Sequence, residues 1–416
     1  MWKYSCKSQL KILLIAFLIG IGMMMLTFSS SEAVYREIFQ DEVVDFMYQN
    51  LILTYLLGGI SIAALANSVI LVQMLMRKFQ FGIFLILAVL VLQPTIIVEV
   101  GCIGLIPSVI VFIYGALSLD GQMKKQMKEY NINKESDLVE IYKSRHTLRE
   151  DVRPLAEEIR KNNDKLNGIY LLGIIALICI MMFISNFLIL VLAFFFYTYA
   201  FTYLNRYKMA NLLPLRTLLY ENCDPEACAS AVIYYSNKHN RFKCKDHALL
   251  AQSLIYLDDP DLADMFLITY PRSSTASNLT YLTLKSYIYY LKKDETKLLG
   301  CKNEAGKIRL SYGPTGVQIQ SGEVLAIQNK INLLNGDFNT CRKYYLGAYQ
   351  TATFNFQRVD ASYYIALISF VLEDYVVAKT YFEKVVSKGN KMCFVAKAQK
   401  YLDKINKLEI SEEVSE

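Results

Sequence analysis

The residues best suited to chemistry in this chain are a short run of thiols and imidazoles. Cys223, Cys228, His239, Cys244 and His247 lie in one stretch and could in principle supply thiolate and imidazole ligands to a tetrahedral zinc ion. The spacing argues against it. Four residues separate the first two thiols, and no Cys-x-x-Cys pair occurs. Cys228 also falls where helix packing reserves room for a compact apolar group, a role that suits a thiol. Gly300 to Lys307 comes near a phosphate-cradling loop. However, five residues separate Gly300 from Gly306, and Ile308 stands where Ser or Thr should hold magnesium. Gly59-Ile60-Ser61 offers a weak serine nucleophile, and no His-Glu-x-x-His sequence occurs. The expectation is a non-enzymatic chain, with no catalytic, cofactor-binding or metal-binding residues. A zinc enzyme and an intramembrane protease are the exceptions weighed.

The elements that would position any such group are helices in lipid and helices in water. The 416 residues are 54% hydrophobic, with mean hydropathy +0.26, and the apolar excess lies in the first 204 residues. Uncharged runs long enough to cross a bilayer predict six spans, at about 12–31, 51–76, 79–98, 100–119, 168–184 and 187–204. Two readings of the first run stay open: a retained helix, or a signal peptide cleaved after Ser31-Glu32-Ala33. The run from Leu166 to Leu204 is nearly twice the length of one span, so two short helices turning near Ser185-Asn186 are expected. Glu99 is expected at the turn between the third and fourth spans.

Charge placement sets the orientation. The segment 118–167 carries seven Lys and four Arg, and Arg206 and Lys208 follow the last span. The segment Glu32–Asn50 carries five acids and only Arg36. Lys and Arg favour the cytoplasmic side. The chain is therefore expected in the plasma or inner membrane, with its N-terminus and C-terminal domain cytoplasmic. Rhomboid-type intramembrane proteases can also join six spans to a soluble repeat domain. Their serine needs a membrane-embedded histidine, and His146, His239 and His247 all lie outside the expected spans, so Ser61 has no such base. Gly58, Gly59 and Ser61 suit close helix packing instead. Asn67 and Gln73 suit hydrogen bonds between helices, and Pro94 and Pro107 suit kinks or caps. The loop 120–165 reads as a charged helical hairpin, either solvated or docked on the C-terminal half.

From Asn205 the pattern changes to amphipathic helices joined by short turns. Asp224-Pro225-Glu226-Ala227-Cys228 and Asp259-Pro260-Asp261-Leu262-Ala263 share a form: Asp suits a helix N-cap and Pro the first turn. Aligning them and continuing gives Cys228, Ala263, Leu298, Cys341 and Ala378 in one register, one helix pair per period. Ile365-Ala366 followed by Tyr375, Ala378, Phe382 and Val385 resembles the tetratricopeptide repeat. Gly336-Asp337-Phe338 with Cys341 and Tyr345, and Leu250-Ala251 with Ala263 and Leu267, are similar. Lys285, Lys302 and Arg216 depart from that pattern. The expected fold is all-α, a six-helix transmembrane bundle followed by a cytoplasmic TPR-like solenoid over 205–408. Helix Lys391–Leu408 would complete the stack, an acidic tail would follow at 409–416, and no sheet is expected after residue 204.

The resemblance implies binding of a protein or peptide partner. Tyr234-Tyr235, Tyr287-Ile288-Tyr289-Tyr290, Tyr344-Tyr345 and Tyr363-Tyr364 could line its groove, or could divide between core and surface. The function expected is a membrane scaffold. The alternative is a transporter or permease component with the repeats as a regulatory or docking module, resting on Glu99, Asn67 and Gln73. A net charge of +6 without a basic run and interleaved aromatics argues against nucleic acid.

Overall fold

A computed structural model describes residues 2–30, 35–36, 40–79, 94–183, 187–239, 241–310 and 313–413. In chain order the elements are α1 (Trp2–Ser30), α2 (Asp41–Gln49), α3 (Leu51–Phe79), α4 (Pro94–Glu129), α5 (Glu135–Arg145), α6 (Arg153–Phe183), α7 (Phe187–Ala210), α8 (Leu213–Tyr220) and α9 (Pro225–Ser236). Strands β1 (Asn237–Lys238) and β2 (Arg241–Phe242) follow, then α10 (His247–Tyr256), α11 (Pro260–Phe266), α12 (Thr275–Leu291) and α13 (Glu295–Gly306). Last come α14 (Gly313–Leu334), α15 (Phe338–Thr351), α16 (Asn355–Val371), α17 (Tyr375–Lys388) and α18 (Cys393–Glu413). Two compact units emerge, one of Met1–Gln122 with Ile175–Phe194, the other of Met123–Ile174 with Phe195–Glu416. Residues 123–174 and 195–204 thus group with the helices that follow residue 204, while 175–194 group with the N-terminal helices.

In the first unit, α1 and α3 cross where side chains are missing. A Cβ added at Gly20 would meet the Gly58 carbonyl oxygen at 2.4 Å, and one at Gly59 would meet Phe17 and Ile21 at 2.9 Å. Ser61 takes no part: it is exposed, and its hydroxyl donates to the Leu57 carbonyl within the helix. Gly101 of α4 lies against α3 in the same manner, 2.3 Å from the Ala64 oxygen at its would-be Cβ. Asn67 of α3, fully buried, donates to the Gly101 carbonyl at 3.2 Å. Lys3 donates to Ser118 at 2.8 Å, and Lys7 pairs with Asp120. These contacts make α1 antiparallel to both α3 and α4, while α3 and α4 run parallel.

Of the six expected spans, three correspond to helices long and apolar enough to cross a membrane among the described residues: Lys3–Leu26, Leu51–Val72 and Gly101–Glu129. The third, 79–98, falls largely on residues 80–93, outside the described residues. Its expected end is corrected, because α4 begins at Pro94 and passes through Glu99 and Gly101 without a turn. Pro suits a helix start, and Gly101 serves close packing, not a break. The fifth and sixth fall on α6 and α7, which end and begin either side of residues 184–186. The hairpin expected at 120–165 is also corrected: its second arm is continuous with the apolar run, as the single helix Arg153–Phe183.

The second unit is built on one turn used five times. Cys223, Asp258, Lys293, Gly336 and Glu373 adopt positive φ, and each ends a helix by the reversal that favours glycine. The next residue is always aspartate. Asp224, Asp259, Asp294, Asp337 and Asp374 each accept from the amide three residues on, which fills a donor the helix leaves open. Four residues after each Asp stands Cys228, Ala263, Leu298, Cys341 or Ala378, all 0% exposed. The odd residues have local reasons. Lys285 is buried against Asp264, and Arg216 lies 3.9 Å from Asp246.

Successive helices from α8 to α18 pack in turn, and alternate ones also touch, α10 with α12 and α12 with α14. The row does not stay open. α8 packs on α16, and Tyr220 stacks on Phe356 with centroids 4.8 Å apart. Asn355 donates to the Glu221 carbonyl at 3.1 Å, and Asn390 to that of Asn222 at 2.8 Å. The expected all-α fold departs at β1 and β2, an antiparallel ladder of two residues per strand. There the chain leaves α9 and reverses through His239, at φ +50°.

Candidate functional site

Five inner helices of the second unit bring tyrosines and two opposite charges together. Tyr256 comes from α10, Tyr287 and Tyr290 from α12, Lys330 from α14, Tyr344 and Tyr345 from α15, and Asp360 and Tyr364 from α16. Asp360 Oδ1 accepts from the Tyr287 hydroxyl at 2.7 Å and from that of Tyr256 at 3.4 Å. The Tyr287 and Tyr364 hydroxyls lie 3.2 Å apart, and the Tyr345 and Tyr364 rings stack with centroids 4.7 Å apart. Lys330 Nζ sits 4.6 Å from the centroid of the Tyr287 ring, where the ring's negative face attracts a cation.

Asp360 and Lys330 are half-buried: protein surrounds them closely, yet each keeps some surface open to water. Burial pushes the Asp360 carboxyl up, against the pull of Tyr287, Lys330 and Tyr256. Burial likewise pushes Lys330 down, partly offset by the charges of Asp360 and Glu323. A carboxylate and an ammonium, each costly to desolvate, are thus held in one tyrosine-rich interior. That arrangement can accept and donate hydrogen bonds and can receive a charge of either sign.

The tyrosine runs divide differently from a simple alternation. Tyr363 and Tyr364 are both buried, but Tyr363 stacks on Phe394, with centroids 4.4 Å apart. Tyr235 is buried and accepts from Asn163 at 2.9 Å, while Tyr234 donates to Glu150 at 2.6 Å. Tyr234 and Tyr235 therefore serve the segment before the repeats and not the interior. Sequence reading missed Asp360, Lys330 and Tyr256. One signal was present: Asp360 interrupts the buried run from Val359 to Ala366.

The segment 130–165 docks on the outer helices through two of the capping acids, Asp224 and Asp259, and through Asp264 within α11. Arg149 reaches Asp224 at 2.6 Å, and Tyr130 donates to Asp264 at 3.3 Å. Arg145 Nη1 donates to Asp259 Oδ1 at 3.0 Å, while His146 Nε2 lies 3.0 Å from Oδ2. Burial opposes ionisation of Asp259, but His146, the Leu262 amide and Arg145 outweigh it and hold the carboxyl below its usual range.

The residues singled out for chemistry have structural partners. Among the described residues no three His, Cys, Asp or Glu side chains form a group able to hold a metal. Burial pushes Cys223 up to about 11 and Cys228 up to about 12. Cys228 contacts the Leu215 carbonyl at 3.4 Å. His247 faces Thr269 at 3.0 Å, and burial pushes it down to about 4. His239 is exposed on the hairpin and Cys244 is buried. Gly300 to Gly306 is helical, so its amides face the helix's own carbonyls and not a phosphate. The side chains of Gln73 and Glu99 lie outside the described residues. No protein-family model, curated protein or solved structure matches the chain.

Proposed function

We propose that this chain is a membrane scaffold whose cytoplasmic, TPR-like helical repeats bind a protein or peptide partner at the interior formed by Asp360, Lys330 and the surrounding tyrosines. The observation that carries this reading is the pair of opposite, partly open charges on a surface made by five helices. A polypeptide offers amides to tyrosine hydroxyls and charges to both groups, and tyrosine contributes large contact area at low entropic cost. Six spans with both ends inside remain the proposed topology. Its support is the placement of charge, with the basic segment 118–167 set against the acidic segment Glu32–Asn50.

The test is comparative co-purification from cells, using full-length protein with Asp360→Asn, Lys330→Gln and, as a surface control, Lys302→Gln. The reading expects one partner to be lost with the first two variants and kept with the third. Equal recovery with all three would overturn it.

A further inference from the structure

The second unit carries a cationic surface that the peptide-binding reading does not use. Lys238, Arg241, Lys243 and Lys245 are exposed on and beside the β1–β2 hairpin, and they line a cavity of about 690 Å³ together with Ser236, His239 and Cys244. The hairpin is fixed to α6. Lys238 pairs with Asp164 at 2.7 Å, and Arg160 donates to the carbonyls of Tyr234 and Asn237. Lys245 lies 4.6 Å from the Tyr235 ring centroid. Burial and the neighbouring charges of Lys238, Arg160 and Lys208 push its ammonium down, with Asp164 opposing them. The patch therefore holds more positive charge than its own acids neutralise.

Its place along α6 gives the partner. Two residues beyond Asp164 the apolar run begins at Leu166, a rise of about 3 Å. Leu171, Leu172, Phe195, Phe196 and Tyr199 of α6 and α7 are all at least 60% exposed, as side chains facing lipid would be. Tyr199, Tyr203 and Tyr207 recur every fourth residue on α7, and Lys208 donates to Asn167 at 2.8 Å. Tyrosine at such a boundary marks the headgroup level. Lys238, held on Asp164, thus anchors the hairpin two residues, about 3 Å of helix rise, from the level where lipid would begin, which is inside the screening length of about 8–10 Å.

We infer that the β1–β2 hairpin and its flanking lysines form a docking surface for the anionic phospholipid headgroups of the cytoplasmic leaflet. The inference rests on the reading that the run 166–204 enters the bilayer. Each cation near an anionic surface contributes roughly fivefold to the association equilibrium, so the four act together.

The test is amide hydrogen exchange of the full-length protein in nanodiscs of zwitterionic lipid, with and without added anionic phospholipid. Slower exchange over 237–245 only with anionic lipid is expected. The protection should fall by roughly fivefold per charge as Lys238, Arg241, Lys243 and Lys245 are each changed to Gln. Unchanged exchange elsewhere would exclude misfolding of these exposed variants. Equal exchange over 237–245 in both lipids, with 168–174 and 195–204 protected in both, would overturn the docking surface alone. Unprotected 168–174 and 195–204 would overturn the membrane placement beneath it. Equal protection by inorganic phosphate in purely zwitterionic discs would identify a soluble-anion site and defeat the lipid assignment.

Discussion

In the apolar helices α1, α3 and α4, backbones approach because side chains are absent; in the repeat body they approach because side chains fill. At Gly20, Gly59 and Gly101 a single added carbon would strike a neighbouring helix. At Phe266, Phe382 and Cys228 large or compact groups are fully enclosed. The contrast follows from the surroundings. Three helices of the first unit are long and apolar enough to cross a membrane. Lipid tails are as apolar as leucine, so helices placed there would gain by close backbone contact, whereas helices in water gain by removing apolar area from water. Polar groups divide similarly: Asn67 bonds across to a backbone carbonyl, while the repeat body uses acids as caps.

The largest effect should come from emptying the repeat body. Phe382→Ala should cost about 3–5 kcal/mol, read as a lowered thermal transition of the detergent-purified protein; a change below one would break the contrast. Asp259→Ala removes a cap, worth about 1 kcal/mol, together with the partners of Arg145 and His146, so a total of about 2–3 kcal/mol is expected. Asp259→Asn should recover the cap's part only. The carboxyl is held low, so its contribution is present above the ordinary carboxylate pKa of about 3.9 and is lost as pH falls through the lower folded value. An acid titration of stability should be shallower for Asp259→Asn than for the unaltered protein.

Overfilling tests the other region. Gly20→Ala should cost about 1–3 kcal/mol, seen as reduced recovery of monodisperse protein after heating in detergent. Gly300→Ala makes the reciprocal case. Nothing lies within 4 Å of its would-be Cβ and it is interior to α13, so the change should stabilise by roughly 0.5–1 kcal/mol. If Gly20→Ala were equally harmless, the packing distinction would be lost.

Much of this was legible where the cause is local. The two Asp-Pro copies are caps, and the register drawn from them reaches five fully buried positions. Only those two carry proline; Asp294, Asp337 and Asp374 make the same cap unannounced, and four of the five reversals use a residue other than glycine. The turn expected near Ser185-Asn186 lies outside the described residues, between a helix ending at Phe183 and one beginning at Phe187. The turn at Glu99 failed because a charge beside a glycine resembles a loop, whereas Gly101 is there for Ala64 and Ser68. The interior around Asp360 was hidden for another reason: Tyr256 and Asp360 are 104 residues apart, and no spacing rule reaches that far.

The junction of α8 with α16 has a consequence for how the repeats come apart. An open stack can fray from either end, each lost unit costing one neighbour. Here Asn355 and Asn390 tie the last pairs to the carbonyls of Glu221 and Asn222, so neither terminus is free to peel. The number of helix pairs is fixed by the need to meet, and gain or loss of one would unseat both ends. Joining them late in the chain adds distant contacts, so assembly should be slower and more all-or-none than in a linear array of equal size.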